Sequence, residues 1–318
     1  MKRIVMAAAA LLALAAAPCH AQDIRLSIST GGTGGVYYPI AGGLANLMSK
    51  HLPNVQATAQ VTGGSVDNLK LIGAKQSELG FVMADAALDA QKGQDKFKGN
   101  QVDLRTLMVL YPNLMQIVTL EGKGIEKLSD LKGKRVSTGS GGSATEVMAF
   151  RVIEAAGLDK DKDLTRERLG ASESANALKD GKIDAFFWVG GLPTAAVTDV
   201  GATPNVKIVM VDTAEYVGAM NKKYGNLYSK GVIPSKTYPG QTKDNPIAVV
   251  QNILVANAKM PDDVAYGIVK TLMEKKPELV AVHREAENFK VESQSNDNTP
   301  VPFHPGAAKY FKEKGAKL

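Results

Sequence analysis

Short stretches in which apolar and polar residues alternate are each followed by a segment whose apolar residues have helical spacing. Alternation over residues 24–28 predicts a β-strand, and apolar residues three or four positions apart predict a helix after residue 37. The same order recurs in four further stretches, at residues 55–72, at a third strand over residues 79–83 that leads through Ala84-Asp85 into a helix, and at residues 134–157 and 182–197. A regular succession of strands and helices predicts an α/β protein with mostly parallel sheets.

Two strand-rich segments separate these units into two sets. Residues 104–122 form two strand-like runs interrupted by Tyr111-Pro112-Asn113, and they predict a first crossing between two lobes. Residues 206–216 predict the return crossing. We therefore expect two α/β lobes, with the second inserted into the first. The predicted boundaries are residues 22–113 and 214–318 for the first lobe and residues 114–213 for the second.

Glycine-rich turns follow predicted strands in both lobes. They lie at residues 31–35 and 63–65 in the first lobe and at residues 139–143 in the second. In open α/β sheets, ligands bind beyond the carboxyl ends of the strands. A glycine-rich turn at that place exposes backbone N–H groups at a helix N-terminus, where anions are favoured. The three turns together predict a small anion held between the lobes.

The first residues of the chain have the pattern of a secretory signal peptide. Lys2 and Arg3 precede an apolar run over residues 4–17, and Cys19-His20-Ala21 has small residues where a signal peptidase requires them. The apolar run is too short for a membrane-spanning helix. We expect cleavage after Ala21 and a mature protein located in the periplasm.

Composition and charge exclude several classes of function. The formal net charge is +6, but lysine and arginine are not clustered with aromatic residues, which disfavours nucleic-acid binding. Cys19 is the only cysteine and would be removed with the signal peptide, so a thiol enzyme is excluded. The remaining histidines are far apart in the sequence and lack the spacing of metal ligands. We expect no metal and no cofactor.

Six motifs occur in order along nearly the whole mature chain: GTGGVYYPIAGGLANLMSK, AQVTGGSVDNLKLI, LYPNLMQIV, LKGKRVSTGSGGSATEV, ALKDGKIDAFFWVGGLPTAAV and PVPFHPGAAKYFKEKG. Together they resemble the TAXI family, the periplasmic solute-binding subunits of TRAP transporters. The resemblance implies a type II periplasmic binding protein fold whose lobes close over a small organic acid. It also implies a dicarboxylate ligand such as 2-oxoglutarate or glutamate, and a TRAP membrane permease as the partner. We expect the protein to be a monomer.

The sequence departs from the family pattern at two places. Many relatives have a glutamine-serine-aspartate run after the third strand, where this chain has Met83-Ala84-Asp85. Ala144 replaces a glycine that is common in the second lobe of relatives. The first change removes a polar group from a position near the expected ligand and leaves the ligand's identity open.

The candidate ligand-binding residues lie in the glycine-rich turns or at strand ends. They are Gly32, Thr33, Gly34, Gly35, Tyr37, Gly64, Ser65, Asp85, Ser140, Gly141, Ser143 and Trp188. Each has a structural alternative, because serine, threonine and aspartate are preferred at helix N-caps and a single tryptophan commonly packs in a core. No arginine lies within the glycine-rich turns, so backbone amides and hydroxyl groups would do most of the work of binding the anion, unless an arginine comes from elsewhere in the fold.

Two other functions compete with transport. A serine hydrolase would need a histidine base near Ser65 or Ser143, and the sequence has neither that arrangement nor a G-x-S-x-G motif. We therefore expect no enzymatic activity. A periplasmic sensor subunit for a signalling receptor would have the same ligand-binding residues, so the sequence leaves this alternative open.

Overall fold

The computed structural model describes residues 24–318, and the expected signal peptide lies outside them. The strands are β1 Ile24–Ser29, β2 Val55–Gln60, β3 Leu79–Met83, β4 Leu104–Leu120, β5 Arg135–Ser137, β6 Thr165–Glu167, β7 Ala185–Gly190, β8 Ile208–Met210, β9 Tyr228–Ile233 and β10 Asn245–Asn257. The α-helices are α1 Tyr37–His51, α2 Ser65–Gly73, α3 Ala84–Lys92, α4 Ala144–Ala155, α5 Ala171–Lys179, α6 Ala195–Gly201, α7 Val217–Tyr224, α8 Asp262–Glu274, α9 Lys276–Val282 and α10 Pro305–Glu313. The prediction of an α/β protein is confirmed.

The strands form one mixed sheet in the order β2-β1-β3-β10-β4-β7-β5-β6, with β8 beside β4 and β9 beside β10. Strands β1 to β3 pair in parallel at one end, and β5 to β7 pair in parallel at the other. The long strands β4 and β10 run antiparallel to their neighbours. The expectation of mostly parallel sheets is therefore wrong for the centre of the sheet, where these two strands join its two ends.

Strand β4 passes from one part of the sheet to the other without a break. It is 17 residues long, so the predicted interruption at residues 111–113 is wrong. Pro112 pairs with Gln251 next to an irregularity in the register, a position at which a strand tolerates a residue that lacks an N–H group. The strand pairs with β10 up to Leu114 and with β7 from there to Thr119.

Strand β10 also runs from one part of the sheet to the other. Its first half pairs with β9, and its second half pairs with β3. Ile247 and Val249 pack in an apolar cluster that also contains Phe186 of β7 and Val197 of α6. The boundaries of the lobes stay a prediction, and both long strands connect the two ends of the sheet.

Helix α1 shows how the apolar spacing positions the glycine-rich turn that precedes it. Ile40, Leu44, Leu47 and Met48 are all buried against the sheet, as their helical spacing predicts. This packing fixes the N-terminus of the helix at the carboxyl end of β1. Within residues 24–318, no helix combines the length and the apolar content that crossing a membrane requires.

Candidate functional site

A cleft with about 510 Å³ of empty volume, including its open mouth, lies where the glycine-rich turns meet. It is lined by Gly31, Gly32, Gly35, Val36, Tyr37, Gly63, Gly64, Ser65, Met83, Tyr111, Ser140, Ser143, Ala144, Thr145, Gly170, Ala171, Trp188, Val189 and Gly190. All of these side chains are uncharged.

Four helices begin at this cleft. Tyr37, Ser65, Ala144 and Ala171 are the first residues of α1, α2, α4 and α5, and all four line it. The N-terminus of a helix carries a partial positive charge of roughly half an elementary charge. The four N-termini together create a positive potential in a cleft whose lining has no cationic side chain. Such a site favours an anion.

The predicted glycine turns of the two lobes touch each other directly. The Ser140 hydroxyl donates a hydrogen bond of 2.6 Å to the carbonyl oxygen of Gly63. The backbone N–H of Asp67 donates to the carbonyl oxygen of Gly142 over 3.1 Å. Gly64 has φ of +123°, and a Cβ at this position would lie 3.2 Å from Cα of Ser143. The backbone conformation therefore requires glycine at position 64, and the close approach leaves little room for a side chain.

Trp188 packs against the first glycine turn. Its indole N–H donates to Oγ1 of Thr194 over 3.1 Å, which fixes the orientation of the ring. A Cβ added at Gly35 would lie 2.8 Å from Cζ2 of the indole, well inside normal contact distance. The absence of a side chain at position 35 therefore lets Trp188 of β7 lie against the backbone of the first glycine turn.

The two serines at the helix N-termini have different hydrogen bonds. The Ser65 oxygen accepts from the backbone N–H of Met83 over 3.1 Å, and the Ser65 side chain is also a hydrogen-bond partner of the Tyr37 hydroxyl. The Ser143 oxygen accepts from the N–H of Glu146, and its proton is donated to the carbonyl oxygen of Ser140 over 2.7 Å. Ser143 is thus an N-cap whose proton is already used. A ligand contact by either hydroxyl stays a prediction.

Tyr37 forms a polar cluster beneath the cleft with two asparagines of the long strands. Its hydroxyl donates to Oδ1 of Asn252, and Nδ2 of Asn113 donates to Oδ1 of Asn252 over 2.8 Å. Burial raises the pKa of Tyr37, so its hydroxyl is protonated at neutral pH. The cluster connects the first turn of α1 to β4 and β10.

Eight of the twelve predicted residues are brought together in the cleft, and four are not. Thr33 is exposed, Gly34 lies against Ser172, and Gly141 lies against the guanidinium of Arg168. Asp85 is fully buried in a different cluster, where it accepts from Arg151 and Tyr228. The structure therefore places Asp85 in an ion cluster and outside the lining of the cleft. A role in ligand binding stays untested for every one of the twelve.

Two further lining residues, Gly31 and Gly63, belong to the predicted glycine-rich turns. Sequence reasoning missed the other residues of the lining: Val36, Met83, Tyr111, Ala144, Thr145, Gly170, Ala171, Val189 and Gly190. Gly170 is the N-cap and Ala171 the first residue of α5, which lies in a stretch for which no element was predicted. A glycine followed by Ala-Ser-Glu-Ser has the small and acidic residues of a helix start and was an available signal.

The sequence matches the NMT1-like family over residues 28–315, and the chain belongs to this family. Among solved structures, it is similar to the periplasmic aliphatic sulphonate binding protein SsuA from Escherichia coli. The two are 16% identical, the match covers 91% of this chain and 83% of that chain, and the TM-score is 0.50.

Two further structures share this fold. A protein from Bordetella bronchiseptica RB50 is 15% identical, with 91% of this chain and 88% of that chain covered and a TM-score of 0.52. A periplasmic transporter is 14% identical, with 93% of both chains covered and a TM-score of 0.54. The chain therefore has the two-lobed α/β fold of periplasmic binding proteins.

Proposed function

We propose that this member of the NMT1-like family is a periplasmic solute-binding protein that captures a small organic anion and delivers it to a membrane permease. The motifs that resemble the TAXI family favour the permease of a TRAP transporter as its partner. They also favour a dicarboxylate such as 2-oxoglutarate or glutamate. The mature protein would lie in the periplasm after cleavage at Ala21.

The observation that carries this proposal is the convergence of four helix N-termini on one uncharged cleft. Backbone N–H groups at helix N-termini bind carboxylates without a cationic side chain. The same potential repels an ammonium group. We therefore expect 2-oxoglutarate and glutarate to bind more tightly than glutamate.

The composition of the cleft also argues against a hydrolase. No histidine is among the lining residues, so neither Ser65 nor Ser143 has a base beside it. His283 and His304 instead cap helices by accepting hydrogen bonds from the N–H groups of Glu285 and Gly306. These contacts support a binding role for the cleft.

The proposed anion site predicts which class of ligand stabilises the protein. In a thermal-shift screen, 2-oxoglutarate and glutarate should raise the melting temperature, because a ligand at 100 times its Kd stabilises the native state by about 2.7 kcal/mol. Glutamate should bind about tenfold more weakly, since its ammonium group lies among positive helix ends. Aliphatic sulphonates should be included because one structural neighbour is named for binding them.

Sugars and diamines serve as the negative controls of this screen. Stabilisation by these compounds, with none from carboxylates or sulphonates, would contradict the proposal of an anion site. Calorimetry of each stabilising compound then gives the affinity and the number of sites. We expect one site for each chain.

We also propose that the lobes close over the ligand about the two long strands. The sequence predicts a hinge near residues 111–116 and 211–214, and β10 gives a further connection between the lobes. The direct contacts between Gly63 and Ser140 and between Asp67 and Gly142 are those that opening would break.

A further inference from the structure

Tyr111 has a buried hydroxyl group that no other part of the described chain satisfies. The residue lies on β4 next to Pro112, its side chain is 1% exposed, and it lines the cleft. Among residues 24–318, none provides a hydrogen-bond partner for its hydroxyl oxygen. A buried hydroxyl without a partner is costly, so its retention requires an explanation.

Other buried tyrosines near the cleft have all their hydrogen bonds within the protein. The Tyr238 hydroxyl donates to Oε1 of Gln116 over 2.6 Å and accepts from the N–H of Thr194 over 3.0 Å. The Tyr37 hydroxyl donates to Asn252 and accepts from Asn113. Phenylalanine at position 111 would fill the same space without a polar group. No hydrogen bond to the described residues therefore accounts for the hydroxyl of Tyr111.

The protonation state of Tyr111 makes it a donor. Burial raises the pKa of its hydroxyl well above the usual value, and the nearby Tyr37 and Glu285 act in the same direction. The proton therefore stays on the oxygen throughout the physiological range. A donor on a residue that lines a cleft surrounded by helix N-termini is complementary to an anion, because an anion supplies acceptors only.

We propose that the Tyr111 hydroxyl donates a hydrogen bond to an oxygen atom of the bound carboxylate and so positions the ligand between the lobes. This inference rests on the proposed anion-binding function and adds a residue that the glycine-rich motifs do not contain. Because β4 pairs with β10 up to Leu114 and with β7 from there on, Tyr111 lies near the passage between the two ends of the sheet, where a ligand held by both lobes would meet it. A ligand without an oxygen at this position would leave the hydroxyl unpaired and would be rejected.

The test is Tyr111→Phe, which removes only the hydroxyl oxygen. We expect the affinity for the dicarboxylate selected by the screen, with 2-oxoglutarate as the first probe, to fall about ten- to a hundredfold in calorimetry. The melting temperature of the ligand-free variant should stay the same or rise, because an unsatisfied buried group is removed. Tyr266→Phe is the matched control. Its hydroxyl donates to Glu313, and neither residue lines the cleft. The affinity of the Tyr266→Phe variant should therefore equal that of the parent.

The outcomes separate this inference from the proposed function. A parent that binds carboxylates, together with a Tyr111→Phe variant that binds them equally well or better, would overturn the inference and leave the proposed function intact. A parent that binds no carboxylate would overturn both. A loss of affinity accompanied by a lower melting temperature in the ligand-free variant would show that the hydroxyl supports the fold, and it would also overturn the inference.

Discussion

Gly35→Ala should lower the affinity for the ligand by about 5- to 150-fold while leaving the separate lobes folded. The added Cβ would lie 2.8 Å from Cζ2 and 3.0 Å from Cη2 of Trp188, so the first glycine turn could not approach the tryptophan without a shift. Overpacking of this kind costs about 1–3 kcal/mol, which corresponds to the stated range of affinity. Calorimetry with the selected dicarboxylate measures the effect.

Gly42→Ala is the matched control for this substitution. Gly42 lies in α1 with no atom within 4 Å of an added Cβ, so the same chemical change is made away from the contact between the lobes. Its affinity should equal that of the parent, and its stability should rise by about 1 kcal/mol because alanine is the better helix former. Equal affinities for the Gly35→Ala and Gly42→Ala variants would show that the ligand-bound protein does not need the contact between Gly35 and Trp188.

Arg151→Met should produce the largest loss of stability, about 3–5 kcal/mol in the free energy of unfolding. Arg151 of α4 is 3% exposed and pairs with the buried carboxylates of Asp85 and Asp89 on α3. The hydroxyl of Tyr228 also donates to Asp85 over 2.8 Å. Removing the cation leaves buried carboxylates without a countercharge, and the cost of breaking such a cluster from one side has the stated size.

Urea unfolding of the ligand-free protein measures this loss. Lys132→Met is the control, because Lys132 forms a largely exposed pair with Asp163 at 3.2 Å and such pairs contribute about 1 kcal/mol or less. A change of less than 1 kcal/mol in the Arg151→Met variant would show that the cluster does not stabilise the fold. It would also reopen the possibility that Asp85 acts at the ligand.

The local pattern of the sequence was sufficient for the elements that carry the glycine turns. The alternation at residues 24–28 and the spacing of Ile40, Leu44, Leu47 and Met48 predicted β1 and α1, and both are present. Glycine-rich turns after strands predicted which segments would meet, because the carboxyl ends of parallel strands lie at one edge. The three turns indeed line one cleft.

Long-range pairing was not predictable from the same patterns. Pro112 looked like a strand breaker, but β4 continues through it because the register of its pairing with β10 is irregular there. Asp85 stands at the start of α3, directly after a strand, where a ligand contact was plausible. Its partner Arg151 comes 66 positions later, and only the fold shows that the two form an ion pair.

The contribution of Tyr111 to the cleft was also not predictable from the local sequence. The sequence places it at a crossing between lobes, which suggested a hinge residue. Its importance for the cleft depends on a hydroxyl group that is buried and finds no partner among the described residues, a property of three-dimensional packing that no local pattern records.

A crystal structure of the protein with its tightest-binding carboxylate tests the central claim most directly. The claim predicts electron density for the ligand between the lobes, with its oxygens within hydrogen-bonding distance of backbone N–H groups at the starts of both α2 and α4. Ser65 and Ala144 mark these two starts. A ligand bound at one helix N-terminus alone, or at any place outside the cleft, would contradict this prediction.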